Sequence, residues 1–159
     1  MKKLRKRLMI CTGLVLCFLS MAPFPSLAAT GSRSADPQLE ANKKLVLDFF
    51  RVVFEAENTD AAKDYLTEGY IQHNPKVPTG RQGFIDYFKP KFKPKPVQSE
   101  LKEPPDVVTA EADLVTVMWK IKTPEPVDKS KTYDKYWFDM FRIKDGKITE
   151  HWDCATKSQ

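Results

Sequence analysis

The sequence predicts an α+β domain in which N-terminal helices cover one face of a curved antiparallel sheet. Three observations predict it. Apolar residues recur at helical spacing as far as about Lys89, they alternate at strand spacing from Val97 onward, and the two kinds of segment are segregated along the chain. With 159 residues, the chain is long enough for one domain with a real core. The organisation read from composition is a leader over 1–28, a flexible segment over 29–38 and the domain itself over 39–156.

The leader explains the charge. Lys2, Lys3, Arg5, Lys6 and Arg7 precede an apolar run over 8–19, and small residues at Ser26 and Ala28 suit a cut after Ala28. That is the pattern of a secretory signal, so the sequence predicts export to the periplasm or medium, without stable membrane insertion after cleavage. Removing those five charges from the 26 Lys and Arg leaves 21, equal to the 21 Asp and Glu, so the net +5 reports targeting rather than a nucleic-acid surface. Cys11 and Cys17 fall in the leader and lack a lipoprotein context. Cys154 alone remains after cleavage, which excludes an internal disulfide and suits a small, half-buried structural residue.

Each element follows in order. Asp36-Pro37 supplies an N-cap and a first-turn proline for a helix running to about Glu57, with Val46, Phe49, Phe50 and Val53 on its buried stripe. Asn58 or Thr59 caps a short helix through Leu66, which Gly69 ends. The prolines of YIQHNPKVPTG, 70–80, predict irregular backbone. Thr79 and Gln82 form a capping-box pattern for a third helix over 81–89, with Phe84, Tyr87 and Phe88 on its apolar face. KPKFKPKP, 89–96, reads as a solvated connector held extended by proline. Strands are expected over 97–103, from Val107, and over 114–122, where Val115, Val117, Trp119 and Ile121 share a face.

The stretch 133–153, YDKYWFDMFRIKDGKITEHWD, reads as a hairpin about Asp145-Gly146. A three-residue loop with Gly146 in a G1 bulge pairs Ile143 with Lys147, and so sets Asp139 opposite His151 and Trp137 opposite Asp153. A two-residue loop instead sets Met140 opposite His151 and Asp139 opposite Trp152. Loop chemistry favours the first.

The chain after the leader has two histidines, His73 and His151, the natural residues for proton transfer near neutrality. Asp139 among Trp137, Phe141 and Trp119 is a candidate general acid or base, and the aromatics suit a planar or cyclic ligand. The plainer alternatives are an Asp139 paired with Arg142 or Lys135, a His151 bonded across the sheet, and core roles for Trp119, Trp137 and Trp152. His73, His151 and Asp139 also have the types of a two-histidine, one-carboxylate metal site, though no short ligand spacing supports one. A phosphate loop, a G-x-S-x-G elbow and a CxxC pair are all absent from the sequence.

YIQHNP, then GRQGF, then AEADLVTVMW, then FDMFRIKDGKITEHWD resembles the SnoaL-like branch of the nuclear-transport-factor-2-like (NTF2-like) superfamily, the polyketide-cyclase and aldol-condensation type, over about 39–154. The resemblance implies an α+β cone with a deep pocket and a homodimer formed through the sheet. It implies cofactor-free acid/base catalysis, with neither metal nor organic cofactor, on a small apolar or carbonyl-containing molecule. Carried over, the catalytic candidates are Asp139, His73 and His151, with His73 as an oxyanion donor. The remaining pocket candidates are Tyr70, Asn74, Trp119, Trp137, Phe141, Trp152 and Asp153. A non-catalytic ligand-binding module is the alternative.

Overall fold

In the computed structural model the described residues are 36–157, so the leader and most of the flexible segment lie outside them. Asp36 and Pro37 cap and open the first helix, as Asp36-Pro37 predicts. Helix α1 spans Pro37–Phe49, and the Asp36 carboxylate accepts from the Gln38 N–H at 2.8 Å. The helix widens into a π-helical turn, Phe50–Glu55. Val46, Phe49 and Val53 are fully buried along it, as the stripe requires. Burying each such side chain contributes about 1.5–3 kcal/mol. Asn58 caps a single 3₁₀ turn, Thr59–Ala61, which leads into the short helix α2, Ala62–Tyr65.

The first departure follows. Leu66–Gln72 is not the end of a helix and a loop but strand β1, with Gly69 inside it. Helix α3, Arg81–Phe88, begins after Gly80 without the predicted capping box. Thr79 turns away instead: its hydroxyl oxygen accepts from the Gln72 N–H at 3.0 Å and donates to the Tyr70 carbonyl at 3.2 Å, tying the turn to β1. No strand forms over 97–103. That segment is strapped across the end of the first helix, where the Glu55 carboxylate accepts the backbone N–H groups of Lys102 and Glu103 at 3.0 Å each.

Strands β2 (Val107–Glu111), β3 (Leu114–Pro124), β4 (Thr132–Lys144) and β5 (Lys147–Asp153) complete a five-stranded sheet in the order β1-β5-β4-β3-β2. The last four strands are antiparallel as expected. The parallel β1–β5 pair makes the sheet mixed rather than purely antiparallel. Helices packed against one face of this sheet give the α+β architecture that the sequence predicts. Cys154 is exposed rather than half-buried.

The hairpin turns on the two-residue loop rather than the favoured three-residue one, and neither anticipated register extends to Asp139 and His151. Asp145 and Gly146 both have positive φ, 50° and 69°, as a two-residue primed turn requires, and Lys144 pairs with Lys147. The extra residue is Thr149, a bulge that leaves Arg142 opposite Glu150, Phe141 opposite His151 and Asp139 opposite Asp153. This is displaced by two residues from the favoured prediction. Since faces alternate with period two, Asp139 and His151 still emerge on the same, inner face.

Candidate functional site

The inner face of β1, β4 and β5 forms the polar end of a cavity of about 200 Å³. Asp139 and His151 are 7% and 8% exposed, with His151 Nε2 2.9 Å from Asp139 Oδ1. The other carboxylate oxygen accepts the Trp137 indole N–H at 3.1 Å. On its far side the imidazole presents Nδ1 to the Gln72 side-chain oxygen at 2.9 Å. Phe141 packs against the ring, with centroids 4.7 Å apart.

The orientation of Gln72 is fixed by its neighbours. Its oxygen accepts the Asn74 backbone N–H, which can only donate, at 2.8 Å, and its amide donates to the Tyr70 hydroxyl oxygen at 3.0 Å. His151 Nδ1 therefore carries a proton. A single further proton is shared between Nε2 and Asp139, giving either an imidazolium–carboxylate pair or a neutral pair. This is a proton-transfer unit held on both sides.

Two further groups face the same space. Asp153 accepts the Asn74 side-chain amide at 2.6 Å and the Ala155 N–H at 2.9 Å. Burial pushes the Tyr70 phenol well above its ordinary range, and the Asp139 and Asp153 carboxylates add to the effect. Tyr70 is thus a neutral hydroxyl whose proton, with the oxygen already accepting from Gln72, is left to the cavity. The apolar walls come from Phe49, Phe50 and Phe54 on the first helix and its π turn, from Phe84 and Phe88 on α3, and from Phe141 on β4.

Three predicted site residues are not brought here. His73, one residue beyond Gln72, projects to the outer face of the sheet, where Nε2 meets the Glu150 carboxylate at 2.8 Å and the ring stacks on Trp152 at 5.0 Å. Arg142 donates to the same Glu150 at 3.0 Å, and these partners, His73 first, hold the Glu150 carboxyl below its usual range. His73 and Trp152 therefore have no access to the cavity. Trp119 packs edge-on to Phe50 at 4.8 Å and donates to the Glu103 carbonyl at 3.3 Å; it supports the wall from behind. The weighed metal trio is accordingly not assembled. The group that converges is Asp139, His151 and Asp153, with potential ligand atoms within 4.8 Å of one another. A cation there would have to replace the Asp139–His151 hydrogen bond.

The model of the SnoaL-like domain matches residues 46–151, well over half of the chain. The chain belongs to the SnoaL-like family. No curated protein matches this SnoaL-like domain in sequence. Among solved structures, it resembles a candidate SnoaL-like polyketide cyclase from Jannaschia sp. CCS1 at 18% identity and a TM-score of 0.51, covering 77% of this chain and 91% of that one. An LEH-like epoxide hydrolase from M. tuberculosis gives 14% identity and 0.51, covering 74% and 84%. A candidate polyketide cyclase from Acidithiobacillus ferrooxidans gives 17% and 0.50, covering 71% and 86%. At these identities the likeness is one of fold. What the SnoaL-like domain does must be argued from its own pocket.

Sequence reasoning missed Gln72, the residue that orients His151. The signal was present: Tyr70 and Gln72 are i and i+2, one face of a strand, but only if 66–72 is recognised as β1.

Proposed function

We propose that this is an exported, cofactor-independent acid/base enzyme of the lyase or isomerase type, acting on a small carbonyl compound. The buried Asp139–His151 pair carries the reading, because both ring nitrogens of its imidazole are held and its one mobile proton borders the aromatic part of the pocket. In its imidazolium–carboxylate form the pair takes a proton from the carbon next to a carbonyl onto the Asp139 carboxylate, and returns it to the product. Tyr70, rather than the outward-facing His73, donates to the enolate oxygen as charge develops there. The enolate electron pair then either attacks a second carbonyl, as in an aldol closure, or is reprotonated elsewhere, as in an isomerisation.

The test is α-proton exchange of small ketones in D₂O, followed by NMR, for the wild type and Asp139→Asn. Asparagine retains the geometry, accepting from Trp137 and donating to a neutral His151, but removes the shared proton. Exchange should fall by about 10²-fold or more. Equal rates in both proteins, or none above buffer, would sink the catalytic reading. The aromatic lining would then favour a non-catalytic ligand carrier, in which Asp139→Asn changes affinity only modestly.

We further propose a homodimer through the outer face of the sheet, where Tyr136 and Phe138 are 52% and 46% exposed. Sedimentation of the wild type and of Phe138→Lys reads this directly. A monomeric wild type would exclude it.

A further inference from the structure

The size and charge of the pocket restrict what it can hold more tightly than the acid/base pair does. Its volume is about 200 Å³. Pockets for drug-sized ligands usually enclose roughly 300–1,000 Å³. An apolar cavity of roughly 150 Å³ is enough to take benzene. One six-membered ring with a short substituent therefore fills this space, and a fused polycycle does not.

Charge narrows the choice further. Among the described residues lining the cavity, the ionisable carboxylates are Asp139 and Asp153 and the only potential cation is His151; no lysine or arginine contributes. If His151 is imidazolium, Asp139 neutralises it and the Asp153 charge remains. A bound carboxylate or phosphate would lie within a few ångströms of that charge in a water-poor space, with nothing to compensate it. The polar groups also say what a neutral ligand must bring. The Tyr70 oxygen accepts from Gln72, while its own O–H has no acceptor among the described residues. A buried hydroxyl in that state is completed by a ligand that brings a lone pair.

We propose that the pocket takes an uncharged, single-ring ketone, and rejects carboxylates, phosphates and fused polycycles. The choice of a carbonyl rests on the acid/base reading above; the limits on size and charge do not.

The experiment follows the Trp137 indole N–H signal, which reports the bond to Asp139, while the purified protein is titrated with acetophenone, benzoate and 2-acetonaphthone. Acetophenone should saturate the shift. Benzoate should bind at least about tenfold more weakly, and 2-acetonaphthone should give no saturable shift. Asp153→Asn should narrow the gap between benzoate and acetophenone. Benzoate or 2-acetonaphthone binding as tightly as acetophenone overturns the proposal, as does a failure of acetophenone to bind. Selective binding of acetophenone without α-proton exchange leaves this proposal standing and removes the catalytic one. Exchange confined to larger or anionic ketones does the reverse.

Discussion

Replacing Gln72 by methionine tests whether the proton on His151 is placed by the protein or merely found there. The substitution keeps length and apolar volume while removing an acceptor shared by His151 Nδ1 and the Asn74 N–H, and a donor to Tyr70. Each such hydrogen bond is worth about 1 kcal/mol net, so losing all three costs about 3 kcal/mol where water does not replace them. Gln72 and Asn74 are half-buried, which lets water recover part of this; His151 is buried, and its ring must respond. With no acceptor at Nδ1, the favoured neutral form moves its proton to Nε2, where the Asp139 carboxylate accepts it. Two measurements check this: urea unfolding at constant m-value, and the ¹⁵N shifts of the two ring nitrogens. We expect a loss of about 2–3 kcal/mol together with a change of Nδ1 from protonated to unprotonated while Nε2 carries the proton toward Asp139. Gln72→Glu, which restores an oxygen acceptor, should return the proton to Nδ1. A loss below about 0.5 kcal/mol with unmoved ring shifts would refute the reasoning.

Three further outcomes follow from the same geometry. Tyr70 should contribute no tyrosinate absorbance in the folded protein, because its pKa is raised above the unfolded value of 10.0; the stability from keeping it neutral is complete below that pH and declines as the pH rises above it, as unfolding midpoints across pH 8–11 would record. Gly146→Ala, at φ 69°, should destabilise the hairpin by about 1 kcal/mol in thermal unfolding, whereas an unchanged melting temperature would contradict the primed turn. His73→Gln should leave ligand titration of the cavity unchanged while raising the Glu150 carboxyl pKa toward 4.5, and NMR titration of Glu150 distinguishes this from a pocket role for His73.

The aromatic stripe of the first helix, its Asp-Pro start, the Phe-rich third helix and the Asp-Gly hairpin were legible because each is written in local periodicity or turn chemistry. So was the common face of Asp139 and His151, although the pairing that delivers it was not. An error of two residues in register leaves a side chain on its own face; an error of one would have reversed the site. His73 shows the cost of that single step, since Gln72 points inward and its neighbour outward. Nothing in LTEGYIQ identifies a strand by itself, with a glycine at its centre and polar residues on both faces. It becomes β1 only by lying parallel to β5, about eighty residues away in sequence. The sequence by itself determined the helices, the strands of the last four-stranded run and the residue types that could exchange protons, because those depend on neighbours two to four positions apart. The tertiary structure alone decided that Gln72 joins Asp139 and His151, that Thr149 bulges and that His73 is excluded, because long-range strand pairing and the packing of helices on the inner face settle those choices.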